Sequence, residues 1–319
     1  MESITKTRLS PGQLEAVVKQ AFGPDAGLAS AAELTDGWFN AAYTLALRDG
    51  RQAVLKVGPG DHAEVLGYER GIMRSELAAL ALVREAGGIP APEVYASDTS
   101  RTLVGADWFV MEKIDGSPYN QAKASLSVQE RFEIERTLGR FNRSINEIRG
   151  DRFGFLNESA GIRTDSWQAA FGDMIGGILA DGRRLGAKLP VSYEELEAFI
   201  ERRLPSLSQV TEPRLVHWDL WDGNLFVKDG RISAIIDWER ALWGDPLMEF
   251  YFRKFNDPEA FLQGYGKRYD APEELPRREL YDLYLDLILA IECYSRHSGE
   301  DQRSWTERNL AKSWARLNR

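Results

Sequence analysis

The spacing of hydrophobic positions changes about a third of the way along the chain. In the first part, apolar residues fall in short strand-like runs, and residues 43–48 and 51–57 flank Asp49-Gly50, a pair typical of tight hairpin turns. Residues 108–112 form a further apolar run that predicts a buried strand. After residue 118 most apolar residues recur every three or four positions, which predicts helices. The pattern predicts an α+β fold in which a small antiparallel sheet precedes a mainly helical part.

Capping signals mark where two of the helices begin. Ser10, Pro11 and Gln13 combine a capping box with proline at the first helical position, and Ser127 with Glu130 forms a second box. Further helices are predicted over residues 68–85, 165–181, 192–204 and 279–293. The chain therefore carries local start signals as well as periodicity.

Residues 113–118 have the composition of a linker, and they divide the chain into two predicted lobes. The smaller lobe covers residues 1–112 and the larger, helical lobe covers residues 119–319. The larger lobe carries one embedded hairpin, with apolar runs on both sides of residues 228–230. A two-lobed protein of this kind is expected to bind its ligand in the cleft between the lobes.

Composition and charge exclude several classes of protein and of binding partner. The chain has 319 residues, 43% of them hydrophobic, so it can build a large core and is not globally disordered. Lys+Arg number 40 against 49 Asp+Glu, and a net charge of −9 argues against partners such as nucleic acid or anionic membranes. Cys293 is the single cysteine, which excludes an internal disulfide framework. We expect a cytoplasmic protein, monomeric or dimeric, without a signal peptide or membrane span.

The chemistry is concentrated around one histidine. His217-x-Asp219-x4-Asn224 is followed by the predicted hairpin and then by Asp237. Phosphoryl transfer from ATP requires a carboxylate that accepts the proton of the attacking hydroxyl, and an amide and a second carboxylate that hold Mg²⁺. Asp219 is the candidate base, and Asn224 and Asp237 are the candidate metal ligands. The alternative is that these residues only form turns and caps.

The same segment resembles the aminoglycoside phosphotransferase and choline kinase branch of the protein-kinase-like superfamily. The resemblance rests on the His-x-Asp-x4-Asn loop, on Ile236-Asp237-Trp238 in place of the kinase Asp-Phe-Gly, and on Gly244-Asp-Pro246. It extends more weakly from about residue 34 to about residue 295. It implies a two-lobed protein-kinase-like fold, ATP and Mg²⁺ as cofactors, and transfer of the γ-phosphoryl group to a small-molecule hydroxyl.

The resemblance also implies roles in the smaller lobe, which becomes the nucleotide-binding lobe. Lys56, at the end of Ala53-Val-Leu-Lys56, is the candidate phosphate-binding lysine. Glu76 lies fourteen residues before Pro90 and is the candidate that orients this lysine, and Glu69 on the same predicted helix is the competitor.

Two further parts of the nucleotide site follow from the resemblance. The phosphate-covering loop is assigned to residues 36–43, where Gly37 and Asn40 resemble a short Gly-x-x-Asn version of the kinase loop. The backbone that reads the adenine edges is assigned to Met111, Glu112 and Ile114.

The acceptor is not identified beyond a hydroxyl group. The family usually meets a cationic acceptor with carboxylates of the helical lobe, and five such residues are candidates: Asp222, Glu239, Asp245, Glu249 and Glu292. An amino sugar, choline, homoserine or another small metabolite is compatible with this set. A protein kinase is disfavoured, because no activation loop fits between Asp237 and Gly244. A catalytically weak nucleotide-binding pseudokinase or regulatory protein stays as the alternative from another class.

Overall fold

The computed structural model describes residues 5–35, 37, 39–61, 63–255 and 258–317. These residues fall into two compact units. The first lies within Met1–Val65, Gly71–Leu126 and Asp222–Glu239, and the second within Leu66–Arg70, Ser127–Trp221 and Arg240–Arg319. The predicted lobe boundaries at residues 112 and 119 stay a prediction.

The first unit contains a five-stranded antiparallel sheet in the order β1-β2-β3-β5-β4. Its strands are β1 Leu28–Leu34, β2 Ala41–Leu47, β3 Gln52–Val57, β4 Val94–Asp98 and β5 Trp108–Glu112. The predicted hairpin joins β2 to β3, and the side chain of Asp49 accepts a hydrogen bond of 3.0 Å from the backbone N–H of Arg51. The sequence did not predict β1, because its alanines and glutamate have low strand propensity; in the described part of the chain it is an edge strand that pairs with β2.

A helix packs against this sheet, and the first unit also contains a second, smaller sheet. Helix α1, Pro11–Phe22, begins at the predicted capping box and packs Leu14, Val17 and Val18 into the apolar core of the sheet. The small sheet has the order β10-β9-β6, and its strands and neighbouring helix are β6 Ser117–Pro118, α3 Tyr119–Ala122, β9 Leu225–Lys228 and β10 Arg231–Ile235. Asp229 and Gly230 have φ of 50° and 70°, as a two-residue turn with both central residues left-handed requires.

Helix α2 of the first unit, Ile72–Ala86, begins four residues later than predicted. Gly71 adopts the left-handed conformation with φ of 64°, which separates the helix from a short 3-10 turn at Gly67–Glu69. The backbone N–H of Leu66 donates to the Glu69 carboxylate at 2.8 Å and fixes this turn. Tyr68 and Glu69 therefore lie outside the helix and in the second unit.

The second unit is mainly helical. Its helices are α4 Val128–Glu147, α5 Trp167–Arg184, α6 Tyr193–Arg203, α7 Pro258–Tyr265, α8 Leu275–Ser295 and α9 Glu300–Leu317. A small antiparallel sheet has the order β7-β11-β8, formed by β7 Gly154–Phe155, β8 Arg214–Val216 and β11 Leu242–Gly244. The capping box of Ser127 and Glu130 is present at the start of α4. Within the described ranges, each helix is too short or too polar to cross a bilayer.

Candidate active site

Lys56 is the centre of a buried charge cluster in the first unit. Leu55 and Val57 face the apolar core of the sheet, so the alternation of β3 directs Lys56 to the opposite face. Its ammonium group contacts the carboxylates of Glu76 at 2.6 Å, Asp237 at 2.6 Å and Glu239 at 3.0 Å. The structure thus brings together Lys56 and Glu76, the pair that the sequence analysis favoured.

The hairpin of the small sheet places the two predicted metal ligands. The backbone N–H of Ile236 donates to the carbonyl oxygen of Asn224 at 2.9 Å, which joins the start of β9 to the segment that follows β10. Asn224 is buried. Asp237 has φ of 65°, a conformation that non-glycine residues seldom adopt and that occurs often at functional sites.

The carboxylates of this cluster outnumber its cation. Burial alone would lower the pKa of Lys56, but Asp237, Glu239 and Glu76 more than offset it and hold that pKa well above its ordinary value. Burial raises the pKa of Glu76 to about 7; Lys56 opposes this increase and Asp237 adds to it. The surplus of negative charge makes the cluster attractive to a cation.

Magnesium fits the chemistry of these groups. Glu76, Asp237 and Glu239 each place one carboxylate oxygen within 4.8 Å of the others. Carboxylate and amide oxygens are the protein ligands that Mg²⁺ prefers. Asn224 adds an amide to the same hairpin, so the residues present can hold the ion.

The loop between β1 and β2 contributes one polar side chain to the cluster. Asn40 is buried and donates its amide hydrogen to Glu239 at 2.5 Å. Its carbonyl oxygen Oδ1 is also buried, and no donor for it is found among the residues that the structure describes. Gly37 lies in the same loop, and a Cβ added to it would lie 3.5 Å from the backbone carbonyl oxygen of Asn40. The predicted loop residues 36 and 38 lie outside the described residues.

The residues assigned to adenine lie at the end of β5 and just beyond it. Met111 pairs with Val54 of β3 and with Val94 of β4. The backbone N–H of Glu112 donates to the carbonyl of Glu93 at 2.8 Å. Met111, Glu112 and Ile114 are all half-buried, and their role in nucleotide binding stays a prediction.

The predicted catalytic loop follows β8 in the second unit. His217 is fully buried, and its Nδ1 accepts a hydrogen bond of 3.2 Å from the backbone N–H of Asp219. This bond assigns the ring hydrogen of a neutral His217 to Nε2. The residue between them, Trp218, has φ of 62°, and the carbonyl of Asp219 accepts from the N–H of Trp221 at 2.9 Å. The loop is therefore held by its own backbone as well as by a histidine.

Glu249 supports this loop from within the second unit. Its two carboxylate oxygens accept hydrogen bonds from the backbone N–H groups of His217 at 2.7 Å and Trp218 at 3.1 Å. Burial raises the pKa of Glu249 to about 7, although hydrogen bonds from the loop and from Asn142 and Asn146 oppose the increase. The sequence analysis placed Glu249 at the acceptor; in the structure it is buried and bound to the loop, and the acceptor role stays a prediction.

Asp219 has as neighbour an arginine, Arg240, whose side chain is largely shielded from solvent. Nη1 of Arg240 lies 4.0 Å from Oδ1 of Asp219, and Nη2 lies 2.7 Å from Oε1 of Glu292. Glu292 also contacts Arg296 at 3.0 Å and accepts a hydrogen bond from Tyr68. Burial alone would raise the pKa of Glu292, but Arg296 and Arg240 more than offset it and lower that pKa.

Three other candidate residues have contacts that the sequence did not indicate. Asp222 forms an ion pair of 2.8 Å with Lys123. Glu239, assigned to the acceptor, contacts Lys56 and Asn40 instead of standing apart from the nucleotide residues. Glu69, the competitor of Glu76, pairs with Arg296 at 2.6 Å. Sequence reasoning missed Arg240, whose only local signal is its position three residues after Asp237.

Comparisons with known proteins place the chain among phosphotransferases. Residues 30–281 match the model of the phosphotransferase enzyme family. A subtelomeric hrmA-associated cluster protein of Aspergillus fumigatus is 28% identical over 140 residues, which cover 44% of this chain and 26% of that protein. Acyl-CoA dehydrogenase family member 11 of Rattus norvegicus is 25% identical over 230 residues, which cover 66% of this chain and 27% of that protein. The chain spans about a quarter of the length of these curated relatives.

Solved structures share the fold at low sequence identity. A thermostable mutant of aminoglycoside phosphotransferase APH(4)-Ia, in a ternary complex with AMP-PNP and hygromycin B, has a TM-score of 0.67 and 18% identity, covering 96% of this chain and 98% of that one. A predicted fructosamine-3-kinase from Thermobifida fusca has a TM-score of 0.65 and 19% identity, covering 95% and 100%. The GDP and kanamycin complex of the phosphotransferase APH(2")-IIIa has a TM-score of 0.62 and 17% identity, covering 94% and 98%. The predicted α+β, protein-kinase-like fold class is confirmed.

Proposed function

We propose that this chain, a member of the phosphotransferase enzyme family, transfers the γ-phosphoryl group of ATP to a hydroxyl of a small molecule. The observation that carries the proposal is the contact of the buried Lys56 with Glu76 and Asp237, each at 2.6 Å. A lysine held by a helix glutamate beside a metal-binding aspartate is the arrangement that kinase-like sites use for the phosphates.

The residues of the first unit bind the nucleotide in this proposal. Lys56 donates to the phosphate oxygens, and Glu76 keeps its ammonium group in place. Gly37 and Asn40 belong to the loop that covers the phosphates; the buried Oδ1 of Asn40 is an acceptor for a ligand group that carries a hydrogen, which the phosphate oxygens do not. The backbone of Met111, Glu112 and Ile114 reads the adenine edges.

Asp237 and Asn224 hold Mg²⁺ in this proposal. Bound Mg²⁺ supplies charge neutralisation for the phosphate oxygens. The oxygen donors described above fit the ion, and the surplus of negative charge around Lys56 favours its binding.

Asp219 acts as the general base. As the acceptor oxygen bonds to the γ-phosphorus, the bond from that phosphorus to the β–γ bridging oxygen breaks, ADP leaves, and the hydroxyl proton passes to the Asp219 carboxylate. The role follows from the His217-x-Asp219-x4-Asn224 spacing. His217 takes no proton in this scheme, because its Nδ1 accepts from the backbone N–H of Asp219.

The acceptor in this proposal is a small hydroxyl compound that carries an amine. Two of the similar structures contain amino-sugar antibiotics, hygromycin B and kanamycin, and a third is a predicted fructosamine kinase. The acidic candidates Asp222 and Glu239 lie in the first unit and Glu249 and Glu292 in the second. Each of them contacts a protein group, Asp222 with Lys123, Glu239 with Lys56, Glu249 with the loop at His217 and Glu292 with Arg240, so these contacts do not single out one residue for the acceptor.

The test measures acceptor-dependent release of ADP with Mg·ATP over a panel of amino sugars, fructosamines, choline and homoserine, with mass spectrometry of the product. We expect one class of acceptor to stimulate release and to gain the mass of one phosphoryl group. GTP is run in parallel, because one similar structure contains GDP. Nucleotide binding without acceptor-dependent release would instead indicate the regulatory, pseudokinase-like alternative.

A further inference from the structure

Four charged side chains of the second unit form one buried network that reaches Asp219. Glu69 pairs with Arg296 at 2.6 Å, Arg296 with Glu292 at 3.0 Å, and Glu292 with Arg240 at 2.7 Å. Arg240 lies 4.0 Å from Asp219. The positive charges of the two arginines equal the negative charges of the two glutamates. The carboxylate of Asp219 therefore adds one negative charge at the end of the network.

Glu292 decides where the guanidinium group of Arg240 lies. The side chain of Arg240 is 9% exposed and that of Glu292 is 6% exposed, so solvent screens their attraction little. Because a guanidinium group is planar and its donors have fixed directions, the contact of Nη2 with Glu292 also sets the direction of Nη1. That nitrogen is the one that lies nearest to Asp219.

The contact between Arg240 and Asp219 is longer than a hydrogen bond. At 4.0 Å the two groups attract by charge, whereas a hydrogen bond from nitrogen to oxygen requires about 3.2 Å or less. Such an attraction draws the carboxylate to one side of the loop while the guanidinium stays bound to Glu292. A base that must accept a proton benefits from this arrangement, since a short bond from arginine would compete with the acceptor hydroxyl.

We propose that Arg240, held by Glu292, is a positioning residue that orients the carboxylate of Asp219. The inference rests on the proposed function for its catalytic consequence, because it assumes that Asp219 is the base. It assigns Arg240 no contact with the nucleotide or the acceptor. Its effect is therefore expected on the rate of transfer and not on the binding of either ligand.

The kinetic test compares Arg240→Met, Arg240→Lys and Glu292→Gln with the wild type. We expect Arg240→Met to lower kcat about 10- to 100-fold, since a small displacement of a catalytic group has effects of this size. We expect Arg240→Lys to recover part of the rate, and Glu292→Gln to lower it less than Arg240→Met. The KM for acceptor and the Kd for nucleotide should change less than about threefold. A change in acceptor KM with kcat unaltered would assign Arg240 to acceptor binding and overturn the proposal.

A second measurement tests the orientation without turnover. In protein labelled with ¹³C-aspartate, the Cγ resonance of Asp219 is identified by its loss in Asp219→Asn. We expect this resonance to shift in Arg240→Met and to return toward its original position in Arg240→Lys. If the wild type transfers phosphate to no acceptor, the proposed function fails while this measurement still decides the role of Arg240. An unshifted resonance in Arg240→Met overturns the proposal.

The control is Arg143→Met on α4, which removes an arginine from an exposed pair with Glu147, 58% and 62% exposed. We expect no change in kcat or in the Asp219 resonance. Thermal unfolding is recorded for each variant. If Arg240→Met does not fold, Arg240→Lys and Glu292→Gln carry the same test, because both keep most of the network.

Discussion

The replacement Glu249→Gln tests whether a buried carboxylate supports the catalytic loop. Glu249 accepts hydrogen bonds from the backbone N–H groups of His217 and Trp218, one with each oxygen. Glutamine has one carbonyl oxygen and one amide nitrogen, so it can accept from one of these groups but presents hydrogens to the other. The variant keeps the shape of the side chain and changes its charge and one hydrogen bond.

The pH dependence of the effect follows from the pKa of Glu249. In the folded protein that pKa is raised from 4.5 to about 7, mainly by burial. Between these pH values the folded state binds more protons than the unfolded state, so the free energy of unfolding falls as pH rises. The contribution is complete below about pH 4.5 and is lost as pH rises through about 7. One pKa unit corresponds to about 1.4 kcal/mol, so the change over this window is on the order of 3 kcal/mol.

Glutamine does not titrate, so the difference between the two proteins isolates this contribution. At pH 5 Glu249 is protonated in the folded protein, but its hydroxyl oxygen still has lone pairs for the second backbone N–H, which the amide nitrogen of glutamine lacks. We therefore expect Glu249→Gln to be less stable than the wild type at pH 5 by about 1–3 kcal/mol, the cost of a buried group left without a partner. By pH 8 this deficit should shrink by on the order of 3 kcal/mol or change sign. Groups that titrate in both proteins, such as Glu76, largely cancel in the difference.

The assay is urea-induced unfolding at pH 5, 6, 7 and 8, followed by tryptophan fluorescence. Glu147→Gln is the matched control, because Glu147 is exposed on α4, and we expect its difference from the wild type to stay within about 0.5 kcal/mol. The quantity to plot is the free energy of unfolding of the wild type minus that of Glu249→Gln. If this difference is flat, or rises with pH, the pKa of Glu249 is not raised by burial.

Three further replacements test the proposed roles. Lys56→Met should weaken nucleotide binding at least about tenfold and lower kcat, because it leaves buried carboxylates without their cation; titration calorimetry measures the first effect. Asp219→Asn should lower kcat about 10²- to 10⁴-fold with the Kd for nucleotide nearly unchanged, as measured by ADP release. Asp237→Ala should abolish the Mg²⁺ dependence of nucleotide binding, which a titration of Mg²⁺ against a fluorescent ATP analogue detects.

The control for Lys56→Met is Lys19→Met on α1, which removes an exposed lysine and should behave as the wild type in the calorimetry. For each of the three replacements, one result would contradict the proposed role. Unchanged nucleotide affinity in Lys56→Met would separate Lys56 from the phosphates. A loss in kcat below tenfold for Asp219→Asn would argue against a base. Persistent Mg²⁺ dependence in Asp237→Ala would move the metal to other ligands.

The local sequence pattern was enough to predict most helices and strands and the type of chemistry. Capping boxes, the Asp49-Gly50 turn and helical spacing depend on neighbouring residues, and these predictions are confirmed. The spacing of His217, Asp219 and Asn224 indicated phosphoryl transfer, because residues so close in sequence are positioned by the conformation of one short loop. Strand β1 escaped prediction, since its stability comes from hydrogen bonds to β2 and not from the residues within it.

Only the tertiary structure decided which charges meet. Glu239 lies 183 positions from Lys56, and nothing local in either segment indicates their contact. Glu249 is bound to the proposed catalytic loop and Glu292 to Arg240, although both resembled acceptor carboxylates in the sequence. Burial and long-range pairing set the partners and the pKa of an ionisable side chain, and the packing of distant segments determines both.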